Sequence, residues 1–282
     1  MAVKTATNYY SNAIVGTPQV GADVNVHEVN SSPKFSCGLS FKRSDGAEFT
    51  YAQFGSGTNA GFLVSTDISA NSVAVTGTNV VIQSDSATAV AGESVLPGKI
   101  GSHYQQLKLN GGFNVYAGGY LHVCAGRGSG YTYRIRGNTA VGTPSATNLR
   151  LTLYEPIAVE IGTESNIAIT GNAWANMIPS VGVTDPAFSG VTMSSVNNNQ
   201  YAWVCRRGIT TVITGNTNLP SVGGIVVSDT ASGGAISEIV YVSTMNTATS
   251  VATTVSVGKP IVGTFIHTGS NGTYSAIALN LF

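Results

Sequence analysis

Few side chains in this 282-residue sequence could do chemistry, and their spacing decides whether they could act together. The nearest thing to a nucleotide site is Gly92-Glu93-Ser94-Val95-Leu96-Pro97-Gly98-Lys99-Ile100. A phosphate loop needs a shorter gap between its glycines, and a Ser or Thr after its lysine to hold Mg²⁺. Here five residues intervene, Ile100 takes the hydroxyl position, and Pro97 removes a backbone N–H from the cradle. Gly126-Arg127-Gly128-Ser129-Gly130 fits neither the dinucleotide fingerprint nor the GxSxG nucleophile elbow, and reads as a turn between two strands. The histidines His27, His103, His122 and His267 have no second His or carboxylate at a working distance; Glu28, beside His27, would point the other way on a strand. They read as ordinary surface or core residues. A Ser/His/Asp set is assembled in space, so only the fold can test it.

Cys37, Cys124 and Cys205 form no CxxC and no His–Cys cluster, and an odd count is not a disulfide framework. Calcium loops of the DxDxDG type are absent. Paired carboxylates for glycoside cleavage would have to be Glu155 and Glu160, which differ in parity around Pro156, or Glu160 and Glu164, which flank the Gly162-Thr163 turn. Their simpler expected use is cross-strand pairing with Arg134, Arg136 and Arg150. The expectation is a protein that is not an enzyme and carries no cofactor or metal.

Composition narrows the class further. Charged residues make up only 9% of the chain, and 13 basic residues balance 13 acidic ones. Such a chain has no global field to hold nucleic acid or an anionic membrane, so neither is expected as a direct partner. Hydrophobic residues at 43% are enough to build a core, which argues against disorder. The N-terminus, Met-Ala-Val-Lys-Thr-Ala-Thr-Asn-Tyr-Tyr, lacks the apolar stretch of a secretory signal, and no run is long enough to span a membrane. Synthesis in a cytoplasm is expected. The sequons at Asn30 and Asn271 then carry no weight. After Arg207 only Asp229, Glu238 and Lys259 are charged. A free monomer so poor in charge would lack solubility, which argues for burial against other chains.

The elements that must position these residues follow a period of two. Leu149, Leu151 and Leu153 share one strand face, as do Tyr131, Tyr133 and Ile135, and Ile277, Leu279 and Leu281. Turn signals punctuate the chain at Asp45-Gly46, Gly118-Gly119, Gly137-Asn138, Gly171-Asn172, Gly215-Asn216, Gly233-Gly234 and Asn271-Gly272. No helical periodicity with a capping box appears. The pattern predicts an all-β chain of many short antiparallel strands in one or two β-sandwich or barrel-like units. Residues 1–40 are expected to be an extended N-terminal arm that a neighbour orders, 41–112 a first β segment, and 113–282 the main β domain, with the boundary near Asn110-Gly111-Gly112. An aromatic-led strand closing on Gly recurs at 48–55, 119–126 and 200–208. It is either reuse of a common strand start or a trace of related β units.

Seven stretches carry a resemblance. Asp45-Gly46-Ala47-Glu48-Phe49-Thr50-Tyr51-Ala52-Gln53 is followed by Gly61-Phe62-Leu63-Val64. Gly119-Tyr120-Leu121-His122-Val123 and Gly130-Tyr131-Thr132-Tyr133-Arg134-Ile135 come next. Val181-Gly182-Val183-Thr184, Tyr201-Ala202-Trp203-Val204-Cys205-Arg206-Arg207-Gly208 and Val262-Gly263-Thr264-Phe265 then follow in order. Over roughly residues 40–282 this resembles the β-rich capsid decoration (cement) proteins of tailed bacteriophages. Cys205 and Arg206 stand where that pattern has polar residues. The resemblance implies a virion protein on the capsid surface, often trimeric, that binds the major capsid protein and reinforces the shell. A self-associating chain, with a trimer favoured, is the matching expectation. Val3, Lys4, Tyr9 and Tyr10 in the arm, with Arg134, Arg136 and Arg150, are the expected capsid or subunit contacts. Two other readings stay open: a tail, fibre or vertex component facing a receptor, and a carbohydrate-binding β-sandwich module. The last would need Trp174 or Trp203 exposed as a stacking platform.

Overall fold

The computed structural model describes residues 24–67, 73–75, 80–81, 95–109, 111–141, 149–180, 188–215, 220–229, 233–238, 261–270 and 272–281. Seventeen strands and no helix lie among them. The first ten are β1 (Ser40–Lys42), β2 (Glu48–Gln53), β3 (Leu63–Thr66), β4 (Val73–Val75), β5 (Val80–Val81), β6 (Tyr104–Leu107), β7 (Tyr120–Ala125), β8 (Thr132–Asn138), β9 (Leu149–Leu153) and β10 (Asn166–Thr170). The rest are β11 (Met177–Pro179), β12 (Phe188–Thr192), β13 (Tyr201–Ile213), β14 (Ile225–Ser228), β15 (Ile236–Glu238), β16 (Ile261–His267) and β17 (Tyr274–Asn280). Every ladder between them is antiparallel. The expected all-β class of short antiparallel strands is what the chain adopts.

The chain divides into two units, one built from residues up to Asp67 together with Trp174 onward, the other from 68–173. The boundary expected near 110–112 lies inside the second unit, where Gly111 bridges Val141. The physical reason is long-range pairing. Thr66 pairs with Met177 in the β3–β11 ladder, so the second unit is an insertion between two neighbouring strands of the first.

In the first unit the sheet runs β11-β3-β12-β13-β17-β16-β14-β15, with β2 added to β13 and β1 to β2. The thirteen-residue β13 is its spine. Its first half pairs with β2, where Trp203 faces Tyr51, and its second half with β17, where Ile209 faces Ala278. Phe41, Phe49, Tyr51, Trp203, Phe265, Ile277 and Leu279 fill the core. The Trp203 ring stands edge-on to Phe41 at 4.8 Å and to Tyr51 at 5.1 Å.

Residues 24–39 correct the expected extent of the arm. They form no strand, yet Val24 and Val26 are buried in the same core, Phe35 packs on Tyr51 and Trp203, and Asn30 bridges Tyr201. Apolar side chains in an irregular segment here cover the chain's own sheet. Residues 1–23, including Val3, Lys4, Tyr9 and Tyr10, lie outside the described residues.

The second unit is a sheet in the order β4-β10-β7-β8-β9-β6-β5. Leu149, Leu151 and Leu153 are buried while Arg150 and Thr152 are not, as a period of two requires. Leu121, Val123, Ile135, Ile167 and Ile169 complete that inner face. Gly137-Asn138, expected as a turn, is instead the end of β8. The register slips there by one residue, and the Asn138 side chain is buried as an anchor rather than exposed in a turn. Its Oδ1 accepts the N–H of Tyr116 at 2.9 Å and its Nδ2 donates to the Gly112 carbonyl at 2.8 Å. The Gly126–Gly130 turn does join β7 to β8. Gly126, Gly128 and Gly130 all have positive φ, and a Cβ on Gly126 would lie 2.1 Å from the Glu164 carbonyl oxygen.

Candidate functional site

Catalytic arrangements can be tested first by geometry. Among the described residues no group of three or more His, Cys, Asp or Glu could hold a metal ion. His27 Nδ1 meets the Met193 carbonyl at 3.0 Å, and His122 is held between the hydroxyls of Thr132 and Thr170. These contacts hold His27 in a turn and His122 on the surface of β7, with carbonyl and hydroxyl oxygens as their partners.

The acids have other partners than those expected. Glu160 accepts from Lys99 Nζ and Arg127 Nη1, each at 2.8 Å, and Glu164 lies 3.7 Å from Arg127 Nε. Glu155 Oε2 accepts the main-chain N–H of Arg134 at 3.0 Å. Cross-strand pairing of these acids with the Arg134, Arg136 and Arg150 side chains is therefore corrected. The register carries the acids past the end of β9, toward Lys99 and the β7–β8 turn. The hydrogen bond from Lys99, reinforced by Arg127, holds the Glu160 carboxyl below the usual carboxylate range. A lowered folded-state value means stability that is present above the unfolded carboxyl's range and is lost as pH falls through the lowered one. Glu160→Gln is expected to cost about 1 kcal/mol at neutral pH, with the gap from wild type closing in acid, once the pH has fallen through the lowered carboxyl range. Urea midpoints at the two pH values check this. A gap that persists in acid contradicts it.

None of the three cysteines forms a disulfide among the described residues. Burial pushes the Cys37 thiol up to about 11 and the Cys205 thiol up to about 12. Cys124 is exposed on β7. Iodoacetamide at pH 8 is expected to label Cys124 on the native protein, and the other two only after unfolding. Peptide mapping reads the result, and native labelling of Cys205 would contradict its burial.

Two exposed faces remain, one on each unit. On the second unit the outward side carries Tyr120 and His122 from β7, Arg134 and Arg136 from β8, Arg150 from β9, and Tyr104 from β6. The structure thus brings Arg134, Arg136 and Arg150 to one side of one sheet, opposite the leucine core. None of the three makes an ion pair with a carboxylate among the described residues. Two lie over tyrosine rings instead: Arg134 over Tyr154 at 5.0 Å, and Arg150 over Tyr104 at 4.8 Å. Cation–π contact holds a guanidinium in place without neutralising it.

On the first unit the outward side carries a row of uncharged side chains. The register aligns Ile209, Ala278, Thr264 and Ile225 in one row across β13, β17, β16 and β14. Three strand spacings make this row roughly 15 Å across. Ile209 is 72% exposed and Ile261 58%. Both line a concavity of about 770 Å³, with Lys42, Asp45 and Arg207 among its charged lining residues. A Cβ on Gly263 would lie 2.0 Å from the Ala278 carbonyl oxygen, so only glycine lets β16 lie this close to β17 beneath the row. Exposed β-branched side chains grouped on neighbouring strands are the pattern of a surface that another surface covers.

The sequence reading missed Ile209, Ile261, Tyr104, Tyr120 and Tyr154. The alternation Tyr120-Leu121-His122-Val123 could have marked Tyr120 as outward. Nothing local marks Ile209, whose neighbours show no clean alternation. Trp203 is buried, and Trp174, half-buried, lies under Arg206 at 5.2 Å, so neither is an open stacking platform. No helix among the described residues is long and apolar enough to cross a membrane. No family model, curated protein or solved structure matches the chain.

Proposed function

We propose that this chain is a structural virion protein that docks on the outer surface of an assembled tailed-phage capsid and stabilises the shell. The observation that carries this reading is the uncharged row on the outer face of the first unit, with Ile209 and Ile261 left in solvent. A protein with so few charges gains by covering such a face, and a shell supplies many symmetry-related copies of the covering surface. Weak contacts repeated over a lattice then hold through avidity. The motif resemblance to decoration proteins supports the same reading. The major capsid protein is the partner, and the protein assembles with itself, as a trimer, on that lattice.

The N-terminal arm belongs to this proposal as a second grip. Added to the edge of a neighbour's sheet, it would supply main-chain hydrogen bonds and fix register. Val24 and Val26 are buried in the first unit, so a cut after residue 20 leaves these anchors in place. A chain lacking residues 1–20 is expected to keep its melting temperature and to stop cosedimenting with shells assembled from the major capsid protein. Full cosedimentation of the truncated chain would remove the arm from the account.

A further inference from the structure

The second unit's outward face has features that docking through an uncharged row does not need. From the stacked guanidiniums and exposed tyrosines on one side of this sheet, we propose that this face binds a carboxylated polysaccharide, a chain containing uronic acid residues. This is a second activity, separate from whatever covers the first unit.

Charge points to the class of ligand. The protein has no net charge, yet Arg134, Arg136 and Arg150 share a face on which none has a described carboxylate partner. Glu155, the acid nearest in sequence, uses one oxygen on the Arg134 main chain. Guanidiniums held over the Tyr154 and Tyr104 rings have lost much of their rotamer freedom before any ligand arrives, which lowers the cost of binding. Each can offer a carboxylate a two-pronged pair of hydrogen bonds.

The aromatic rings point to a sugar. Tyr120 pairs with Arg134 across β7 and β8, and Tyr154 follows β9 with its N–H bonded to the Arg134 carbonyl. The face therefore presents tyrosine, guanidinium and tyrosine in a line, at successive strand spacings of about 4.8 Å. Tyr120 and Tyr154 are 45% and 52% exposed. A pyranose ring offers an apolar C–H face that stacks on a phenol, and in a uronic acid the carboxylate sits on that same ring. Glutamate and aspartate side chains have no comparable ring face. The aromatic–cation–aromatic line thus fits an acidic sugar chain better than an acidic polypeptide.

The test is calorimetric titration of the full-length protein with a galacturonic acid oligosaccharide, its methyl-esterified counterpart and poly-glutamate. The uronate is expected to bind, and esterification to weaken it by about tenfold or more. Arg134→Ala with Arg150→Ala should weaken uronate binding by a similar factor. Tyr120→Ala should weaken uronate binding without changing the response to poly-glutamate, and Tyr120→Phe, which keeps the ring, should restore it. Melting curves of each variant confirm that the sheet is intact. Absence of uronate binding by the folded wild-type protein overturns the proposal. Equal binding of uronate and poly-glutamate, indifferent to Tyr120→Ala, also overturns it, and returns the three arginines to the capsid contact expected from sequence.

Discussion

Trp203→Ala is expected to destabilise the first unit by about 3–5 kcal/mol, the usual cost of emptying a large aromatic site in a packed core. Trp203 is buried at the centre of the aromatic cluster, with Phe35, Phe41 and Tyr51 within 5.4 Å of its ring. It also faces Tyr51 across the β2–β13 ladder, the pairing that joins residues 48–53 to residues 201–207. The loss should therefore appear first as faster hydrogen exchange in β2 and β13. The β7 and β8 amides, in the other unit, provide the internal reference. A loss below about 1 kcal/mol, with unchanged exchange in β2, would mean that the cluster does not hold this ladder.

Ile209→Lys combined with Ile261→Lys is expected to weaken shell binding by about a hundredfold or more while leaving the fold intact. Both side chains are mostly in solvent, so the unbound protein should tolerate the change to within about 0.5 kcal/mol. Covering two unpaired ammonium groups at a contact is another matter. Each would cost about 1–3 kcal/mol or more in desolvation. Cosedimentation with shells reads the loss, and the melting temperature reads the fold. Unchanged binding would show that the face holding Ile209 and Ile261 is not the contact.

How much of this was legible in the sequence follows from the range of each interaction. The all-β class was legible because alternation is local: Leu149, Leu151 and Leu153 announce a buried face by themselves. The division into units was not. It depends on Thr66 finding Met177 and on Tyr51 finding Trp203, pairings about 110 and 150 residues apart that no local pattern encodes. The arm was overextended because residues 24–39 lack alternation, while their burial comes from single apolar side chains such as Val24, Val26 and Phe35. Gly137-Asn138 carries the composition of a turn, but a buried asparagine satisfying neighbouring backbone groups overrides that preference.

The candidate surfaces were legible in part. Arg134 and Arg136 could be placed together from their spacing, but their stacking could not. Tyr154 lies beyond the end of β9 and Tyr104 on β6, and only the β6–β9–β8 register brings them near the arginines. The same register sends Glu160 to Lys99 and Arg127, which leaves the face positive. The row through Ile209 depends on three successive ladders and has no signature in any one strand.

The central claim is that this chain tiles a capsid shell. Quantitative peptide mass spectrometry of purified particles, comparing this chain with the major capsid protein, tests it most directly. The account predicts a ratio near one to one or a simple fraction of it, as symmetry-related docking over a lattice requires. A ratio of a few copies per hundred capsid subunits would put the chain on a tail or vertex, and its absence from the particle would contradict the virion reading altogether.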